Sequence, residues 1–210
     1  MLISHKYKFI FIKTMKTAGT SIEIELNKIM DESDIVTPIK PSHKKHKPRN
    51  YIYNNSRFFN HIGAVQIKKL VSNEIFDQYF KFCVEREPVD KCISHYSMLK
   101  NSSTHNYATK NLSWEEYIRS KNFPIDTKKY TDEQNNICVD KIIKYENLNK
   151  EMFLLASQLG FELSGIRERA KSNFRENINI KESDKKIIYE FFAESNKITG
   201  YELNNLNPNF

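Results

Sequence analysis

Cysteines, long apolar runs and early glycines are scarce in this chain of 210 residues, and their scarcity limits the classes of protein it can belong to. There are 3 cysteines, and their spacing matches no metal-ligand motif, so we expect no metal site and a reduced, buried Cys83. The apolar run nearest the N-terminus is Phe9–Ile12, far too short for the core of a signal peptide or for a membrane span. No glycine precedes Gly19. These absences favour a cytoplasmic protein with no membrane span.

Length and charge set further bounds. A chain of this length forms one domain, residues 1–210, that buries about 70% of its unfolded surface. The formal net charge is +7, which suits a nucleic acid, an anionic lipid, a polyanionic cofactor or an acidic glycan. Oligomeric state is not encoded in any recognisable pattern.

The densest positive run spans residues 40–49, Lys-Pro-Ser-His-Lys-Lys-His-Lys-Pro-Arg, and lacks apolar periodicity. We interpret residues 38–50 as a mobile, solvated basic loop. The alternative is a flap that closes over a cofactor or an acidic acceptor. Neither a helix-turn-helix pattern nor aromatic residues interleaved with the basic ones accompany this run, so we predict no nucleic-acid partner.

The most informative segment begins with Phe9–Ile12, an apolar run typical of a buried strand. A basic, hydroxyl-rich turn follows at Lys13–Ser21, and helical apolar spacing begins at Thr20. A strand, a turn and a helix start direct backbone N–H groups and the positive end of a helix dipole at one point. Lys16 adds a positive charge there. The pattern predicts an anion-binding turn, although an ordinary strand-to-helix turn remains the alternative.

This turn is not the common nucleotide-binding loop. In G-x-x-x-x-G-K-[ST] the lysine follows the second glycine, whereas Lys16 here precedes Gly19. No apolar strand ending in the aspartate of a magnesium–nucleotide site is evident downstream. The turn therefore favours a nucleotide-borne anion that needs no metal.

A second segment has a similar form. Tyr79–Glu85 is rich in aromatic and β-favouring residues and predicts a strand, which runs directly into Arg86. Pro88 suits the first turn of a helix, and Ser94 falls inside that helix. An arginine at the end of a strand can bind a phosphate with two hydrogen bonds. Two such strands could hold the two charged ends of one ligand.

These two motifs resemble those of sulfotransferases that use 3′-phosphoadenosine-5′-phosphosulfate (PAPS). Lys-Thr-Ala-Gly-Thr-Ser at 16–21 is similar to the family's 5′-phosphosulfate loop, P-K-T-G-G-T-S. Arg86-Glu87-Pro88 with Ser94 resembles its 3′-phosphate segment, R-[DN]-P followed by a helical serine. The likeness is greatest to the carbohydrate branch, whose K-H-A-T-A segment corresponds to residues 60–64 here. Residues 139–148, 171–172 and 200–202 extend it over most of the chain.

The resemblance implies an α/β fold, P-loop-like and three-layered, with a central parallel sheet flanked by helices. It implies transfer of the sulfuryl group of PAPS to an acceptor hydroxyl, with a carbohydrate as the expected acceptor class and no metal. Lys16 would neutralise the bridging oxygen and the 5′-phosphate. The implied cofactor-binding residues are Lys16, Thr17, Ala18, Gly19, Thr20, Ser21, Arg86 and Ser94, supported by Lys171 and Ser172.

The acceptor hydroxyl needs a base, and the resemblance points to His61, an imidazole that titrates near neutrality. His43 and His46 are the rivals. The chain departs from the family pattern at Met15, Ala18, Glu87 and Lys144 without losing a group that the chemistry needs. Two other functions stay open: a small-molecule or nucleotide kinase with a variant phosphate loop, and a non-catalytic binder of polyanions.

The remaining pattern predicts strands that alternate with helices, which favours a parallel sheet with the ligand at the carboxyl ends of its strands. We expect strands at 7–12, 79–85 and 142–145, and helices at 20–30, 61–71, 73–78, 88–100, 113–121, 150–159 and 182–195.

Overall fold

The structure, a computed structural model, describes residues 1–53, 56–101, 111–166 and 175–203. Lys171 and Ser172 lie outside these ranges. The β-strands within them are β1 (Leu2–Ser4), β2 (Phe9–Ile12), β3 (Ile35–Val36), β4 (Ile52–Tyr53), β5 (Ser56–Arg57), β6 (Phe80–Glu85) and β7 (Lys141–Lys144). The α-helices are α1 (Gly19–Leu26), α2 (Ala64–Leu70), α3 (Asn73–Gln78), α4 (Pro88–Asn101), α5 (Trp114–Ser120), α6 (Thr127–Tyr130), α7 (Leu148–Leu159), α8 (Glu182–Phe191) and α9 (Ala193–Thr199).

The chain packs as two compact units. Unit 1 contains Met1–Glu85 and Asp126–Ala170, and unit 2 contains Arg86–Ile125 and Lys171–Phe210. Among the helices within the described ranges, none is both long enough and apolar enough to span a membrane.

Unit 1 is built on a five-stranded mixed sheet in the order β3-β1-β2-β6-β7. β6 pairs in parallel with both β2 and β7, whereas β1 is antiparallel to β2 and to β3. The α/β class is confirmed, but the sheet is only partly parallel. The link His5–Lys8 between β1 and β2 is too short for the crossover that parallel strands require, so β1 runs antiparallel.

The burial of β2, a strand that the sequence predicted, has a physical reason. All four residues of β2 are fully buried, as expected for a strand that lies inside the sheet between β1 and β6 and is covered on both faces. On one face Phe9, Phe11 and Phe82 pack with Ile22 of α1 and Leu155 of α7 in one apolar core. This core fixes the end of β2, and with it the start of the turn that follows.

Unit 2 has a separate apolar core formed by α4, α5 and α8. Val89, Tyr96, Trp114, Tyr117 and Ile188 are buried in it. A capping box begins α5, where the Ser113 hydroxyl accepts from the Glu116 N–H and the Glu116 carboxylate accepts from the Ser113 N–H.

Helix boundaries differ from the prediction where the chain bends. The expected helix at 182–195 divides at Phe192, a buried core residue, into α8 and α9. The helix expected at 61–71 begins only at Ala64, so His61 precedes it. α6 was not predicted, since a single helical turn shows no amphipathic period.

Gly160 ends α7 in the left-handed conformation, with φ of 77°, and an added Cβ would meet nothing within 4 Å. Gly160→Ala should therefore lower the free energy of unfolding by about 1 kcal/mol through backbone strain alone. Urea denaturation measures this. Gly160→Asn is the matched control and should lose less, because asparagine tolerates this conformation better. Equal losses would contradict the account.

Candidate anion-binding site

The turn between β2 and α1 has an unusual backbone. Lys16 and Ala18 both adopt left-handed conformations, with φ of 61° and 59°, and α1 begins at Gly19. Left-handed residues in a short turn aim successive N–H groups into a concavity that binds anions. Within the described residues no side chain caps α1, and its first turn contains no acidic residue. The start of α1 therefore presents N–H groups and a helix dipole that no carboxylate of its own first turn caps.

Gly19 is required by close packing rather than by a left-handed backbone. A Cβ at this position would lie 2.6 Å from Lys13 Cγ and 2.8 Å from Lys13 Cε. The aliphatic part of Lys13 thus lies directly on the glycine at the start of α1. The left-handed positions are taken instead by Lys16 and Ala18, where a Cβ carries a strain of about 1–2 kcal/mol.

Two threonines attach the turn to the sheet. Thr14 Oγ1 donates a hydrogen bond to the Val84 carbonyl of β6 and lies 2.9 Å from Thr17 Oγ1. Both side chains are buried, at 1% and 0% exposure. The resemblance implies that Thr17 is one of the cofactor-binding residues. Its hydroxyl is engaged with Thr14, which leaves its backbone N–H as the group that suits a ligand.

Asp126 holds the turn from a distant part of the chain. Its Oδ2 accepts a hydrogen bond of 2.7 Å from the Met15 N–H, and its Oδ1 lies 3.4 Å from Lys129 Nζ. Asp126 is 1% exposed. Sequence reasoning missed it, because no local pattern connects two positions 111 residues apart.

Lys13 and Glu23 form a buried ion pair at the base of the turn. Lys13 Nζ lies 2.5 Å from Glu23 Oε2 and donates to Thr20 Oγ1 at 3.1 Å. Glu23 also accepts from the Met1 amino group and is fully buried. Burial alone would raise the Glu23 pKa, but the positive charges of Met1 and Lys13 outweigh it and lower this pKa. Glu23 therefore stays ionised and offsets the charge of Lys13.

His61 lies beside the same turn. Its Nδ1 is 3.0 Å from the Lys13 carbonyl oxygen, which can only accept, so Nδ1 carries the proton and Nε2 the lone pair. Burial and the charge of Lys13 lower the His61 pKa to about 4. The imidazole is therefore neutral at pH 7. The start of α2, which follows His61, packs against α6. A Cβ on Gly63 would lie only 3.2 Å from Lys129 Cα.

The two rival histidines lie in the basic segment 40–49. The His43 Nδ1 accepts from the Lys45 N–H at 3.2 Å, a local turn contact. His46 is 5% exposed, and neither ring nitrogen has a hydrogen-bond partner among the described residues. Burial lowers the His46 pKa to about 4. Arg49 donates to the Asp31 and Met30 carbonyls, which anchors the end of the segment.

Arg86 and Ser94 belong to unit 2. Arg86 is 8% exposed and lies two residues before α4 begins at Pro88, and Ser94 lies within α4, as the sequence predicted. Arg86 is paired with Asp90, and Asp90 also contacts Arg175, a residue that sequence reasoning did not assign. The turn and His61, which the structure brings together, lie in unit 1.

Comparison with known proteins adds a relationship without an activity. No protein-family profile matches the chain. It is 34% identical, over 123 residues, to a protein of Archaeoglobus fulgidus described as an uncharacterized protein. The match covers 53% of this chain and 96% of the archaeal protein, so the chain belongs to the same family as that protein. The description of the archaeal protein assigns no function to either chain.

The left-handed alanine yields a stability prediction. Ala18→Gly removes a strain of about 1–2 kcal/mol but adds about 0.5–1 kcal/mol of unfolded-state entropy, so we expect a net gain of about 0.5–1 kcal/mol. Urea denaturation measures the gain. Ala156→Gly, within α7, is the control and should lose stability, since glycine is the weaker helix former and a buried methyl group is lost. A loss at Ala18 would refute the backbone assignment.

Buried His46 and half-buried His61 yield a pH prediction. Their pKa of about 4 in the folded protein lies below the ordinary value of 6.5, so the unfolded chain binds more protons between these values. Stability should fall as the pH drops from 6.5 towards 4. His46→Leu should reduce this slope, because it removes one of the two groups. Chemical denaturation at several pH values measures it, and an unchanged slope would contradict the burial of a neutral His46.

Proposed function

We propose that the protein is a sulfotransferase that moves the sulfuryl group of PAPS to an acceptor hydroxyl, with a carbohydrate as the acceptor class. The observation that supports this most is the turn after β2, where Lys16 and Ala18 are left-handed and Gly19 starts α1. A finer description of the fold, a P-loop-like arrangement of three layers, belongs to the same proposal.

The groups of the turn fit a phosphate. Residues 13–21 contain two lysines and four hydroxyl residues but no acidic residue. The lysine at 13 is offset by Glu23, so its charge supports the turn. Lys16 is the lysine that lies between the anchoring residues Thr14 and Thr17, ahead of the start of α1. In the proposal its ammonium group faces the 5′-phosphate, and the N–H groups of 17–21 hold the phosphate oxygens.

Sulfuryl transfer leaves negative charge on the bridging oxygen of the donor. A fixed ammonium group and fixed N–H dipoles stabilise such a charge with little reorganisation, which makes positioning and electrostatics the main source of rate. Asp126 and the two threonines supply the fixing, because each has a buried side chain that is hydrogen-bonded to the turn or within it. Asp126 and Thr14 thus prepare the site without facing the ligand, whereas Thr17 anchors the turn through its hydroxyl and offers its N–H to the ligand.

His61 is the proposed base. Its Nδ1 proton is held by the Lys13 carbonyl, so Nε2 is the atom that can take the acceptor proton. A pKa of about 4 keeps this atom unprotonated at neutral pH, although it also makes the free imidazole a weak base. A nearby anion raises the pKa of a histidine, so binding of the negatively charged donor would strengthen the base.

At the other end of the ligand, Arg86 and Ser94 are proposed to bind the 3′-phosphate, which distinguishes PAPS from nucleotides without it. Arg86 follows β6, the parallel neighbour of β2, and its guanidinium can make paired hydrogen bonds that a lysine cannot. The role of Lys171 and Ser172 at this end stays a prediction from the sequence.

The test is incubation with ³⁵S-labelled PAPS and a panel of glycans, lipids, peptides and phenols. We expect label in a glycan, and His61→Ala should lower turnover by about 10²–10⁴-fold while binding of 3′,5′-adenosine bisphosphate is retained. His5→Ala is the matched control and should transfer normally, since its ring contacts Tyr79 away from the turn.

Three results would count against the proposal. Label in no acceptor, together with no binding of the bisphosphate, would reject a sulfotransferase. Magnesium-dependent hydrolysis of ATP would favour the kinase alternative. Undiminished turnover in His61→Ala would reject His61 as the base, and loss in His43→Ala would transfer that role to its rival.

A further inference from the structure

One carboxylate in unit 2 lies between two arginines. Arg86 Nε and Nη2 are both 2.5 Å from Asp90 Oδ2, and Arg175 Nη1 is 2.6 Å from Asp90 Oδ1. Arg86 and Asp90 are 8% and 5% exposed, whereas the Arg175 side chain is 49% exposed. Each carboxylate oxygen therefore pairs with one guanidinium group.

The fold explains this arrangement. Arg86 precedes α4 and Asp90 lies in its first turn, an i,i+4 spacing that places the two side chains on the same side. Arg175 reaches Asp90 from the segment before α8, which is held to α4 where the Glu176 N–H donates to Ser97 Oγ at 3.0 Å. The three residues meet because both segments pack on the same helix.

The contacts are less complete than those of an ideal pair. The two donors of Arg86 converge on one oxygen, whereas the strongest arginine–carboxylate pairs use two parallel bonds to two oxygens. Oδ1 is close to Arg175 but has no hydrogen bond of good geometry among the described residues. A tetrahedral group with three oxygens and two charges could satisfy both guanidinium groups better than this planar carboxylate does.

The other acidic group here is already engaged. Glu87 accepts from the Val89 and Asp90 N–H groups and from the Tyr189 hydroxyl. Burial raises the pKa of Glu87. Asp90 is thus the carboxylate that contacts the arginines.

We propose that Asp90 is an internal counter-anion that sets the ligand selectivity of Arg86 and Arg175: a phosphate dianion replaces it, and a singly charged anion does not. The proposal rests on the proposed function for the identity of that phosphate as the 3′-phosphate of the donor. It adds Arg175 to the arginine site. Under the proposal Asp90 competes with the ligand for the arginines. A residue that only orients Arg86 would instead favour ligand binding.

The two roles predict changes of opposite sign. If Asp90 competes with the ligand, Asp90→Asn removes a like charge and should tighten binding of 3′,5′-adenosine bisphosphate by about tenfold. If Asp90 only orients Arg86, the same change should weaken binding. The asparagine keeps the shape and one acceptor oxygen, and its amide nitrogen replaces the second oxygen, so the loss of the charge is the main change.

The experiment is calorimetric titration of the full chain and its variants with 3′,5′-adenosine bisphosphate and with adenosine 5′-monophosphate. Tighter binding of the bisphosphate alone by Asp90→Asn supports the proposal, and weaker or unchanged binding overturns it. Glu190→Gln, which removes one exposed charge from α8, is the control and should bind as the unmodified protein does. If Asp90→Asn does not fold, Asp90→Ser is the second variant. It removes the same charge, and serine is tolerated in the first turn of a helix.

A second readout separates this proposal from the proposed function. Thermal shifts with inorganic phosphate report on the arginine pair whether or not the protein binds a nucleotide. A larger phosphate-dependent shift in Asp90→Asn, with no binding of the bisphosphate, would reject the sulfotransferase but keep the counter-anion. If the protein binds the bisphosphate but Asp90→Asn binds it no more tightly, the sulfotransferase would be kept and the counter-anion rejected.

Discussion

The account depends on the hydrogen bonds that hold the turn after β2 in a backbone that it would not adopt alone. Two residues with side chains, Lys16 and Ala18, are left-handed there, and each carries a strain of about 1–2 kcal/mol. The Thr14–Thr17 contact joins the turn to β6, and Asp126 receives the Met15 N–H. These contacts are buried, so the surrounding structure fixes the strain and keeps the N–H groups of the turn directed at one point.

Charge in unit 1 is arranged around the same turn. Lys13 and Glu23 are both buried and paired, which lets the alkyl chain of Lys13 pack on Gly19 without an uncompensated charge. His61 is bound through Nδ1 to the carbonyl of that lysine, so the position of the proposed base depends on the turn as well. In unit 2 the pattern is different, since Arg86 is paired with a carboxylate that a ligand phosphate must replace under our inference.

The parts of the fold and of the candidate site that could be predicted from the sequence are those with a local pattern of residues. The apolar runs of β2 and β6 and the helices after them were evident, because a fully buried strand and an amphipathic helix each leave a period in the sequence. The short strands β1 and β3 were missed, because segments of 3 and 2 residues are too short to show a period. Asp126 and Arg175 were missed because their partners are far away in the chain. The left-handed Ala18 was hidden by the expectation that glycine takes such positions.

The central claim is that the backbone of the turn binds a phosphate. It is tested most directly by recording amide chemical shifts of ¹⁵N-labelled protein during titration with 3′,5′-adenosine bisphosphate. The account predicts the largest saturable shifts at the N–H groups of 17–21, because an anion there changes their hydrogen bonding. Saturable binding with those signals unmoved, and with shifts confined to other residues, would contradict it.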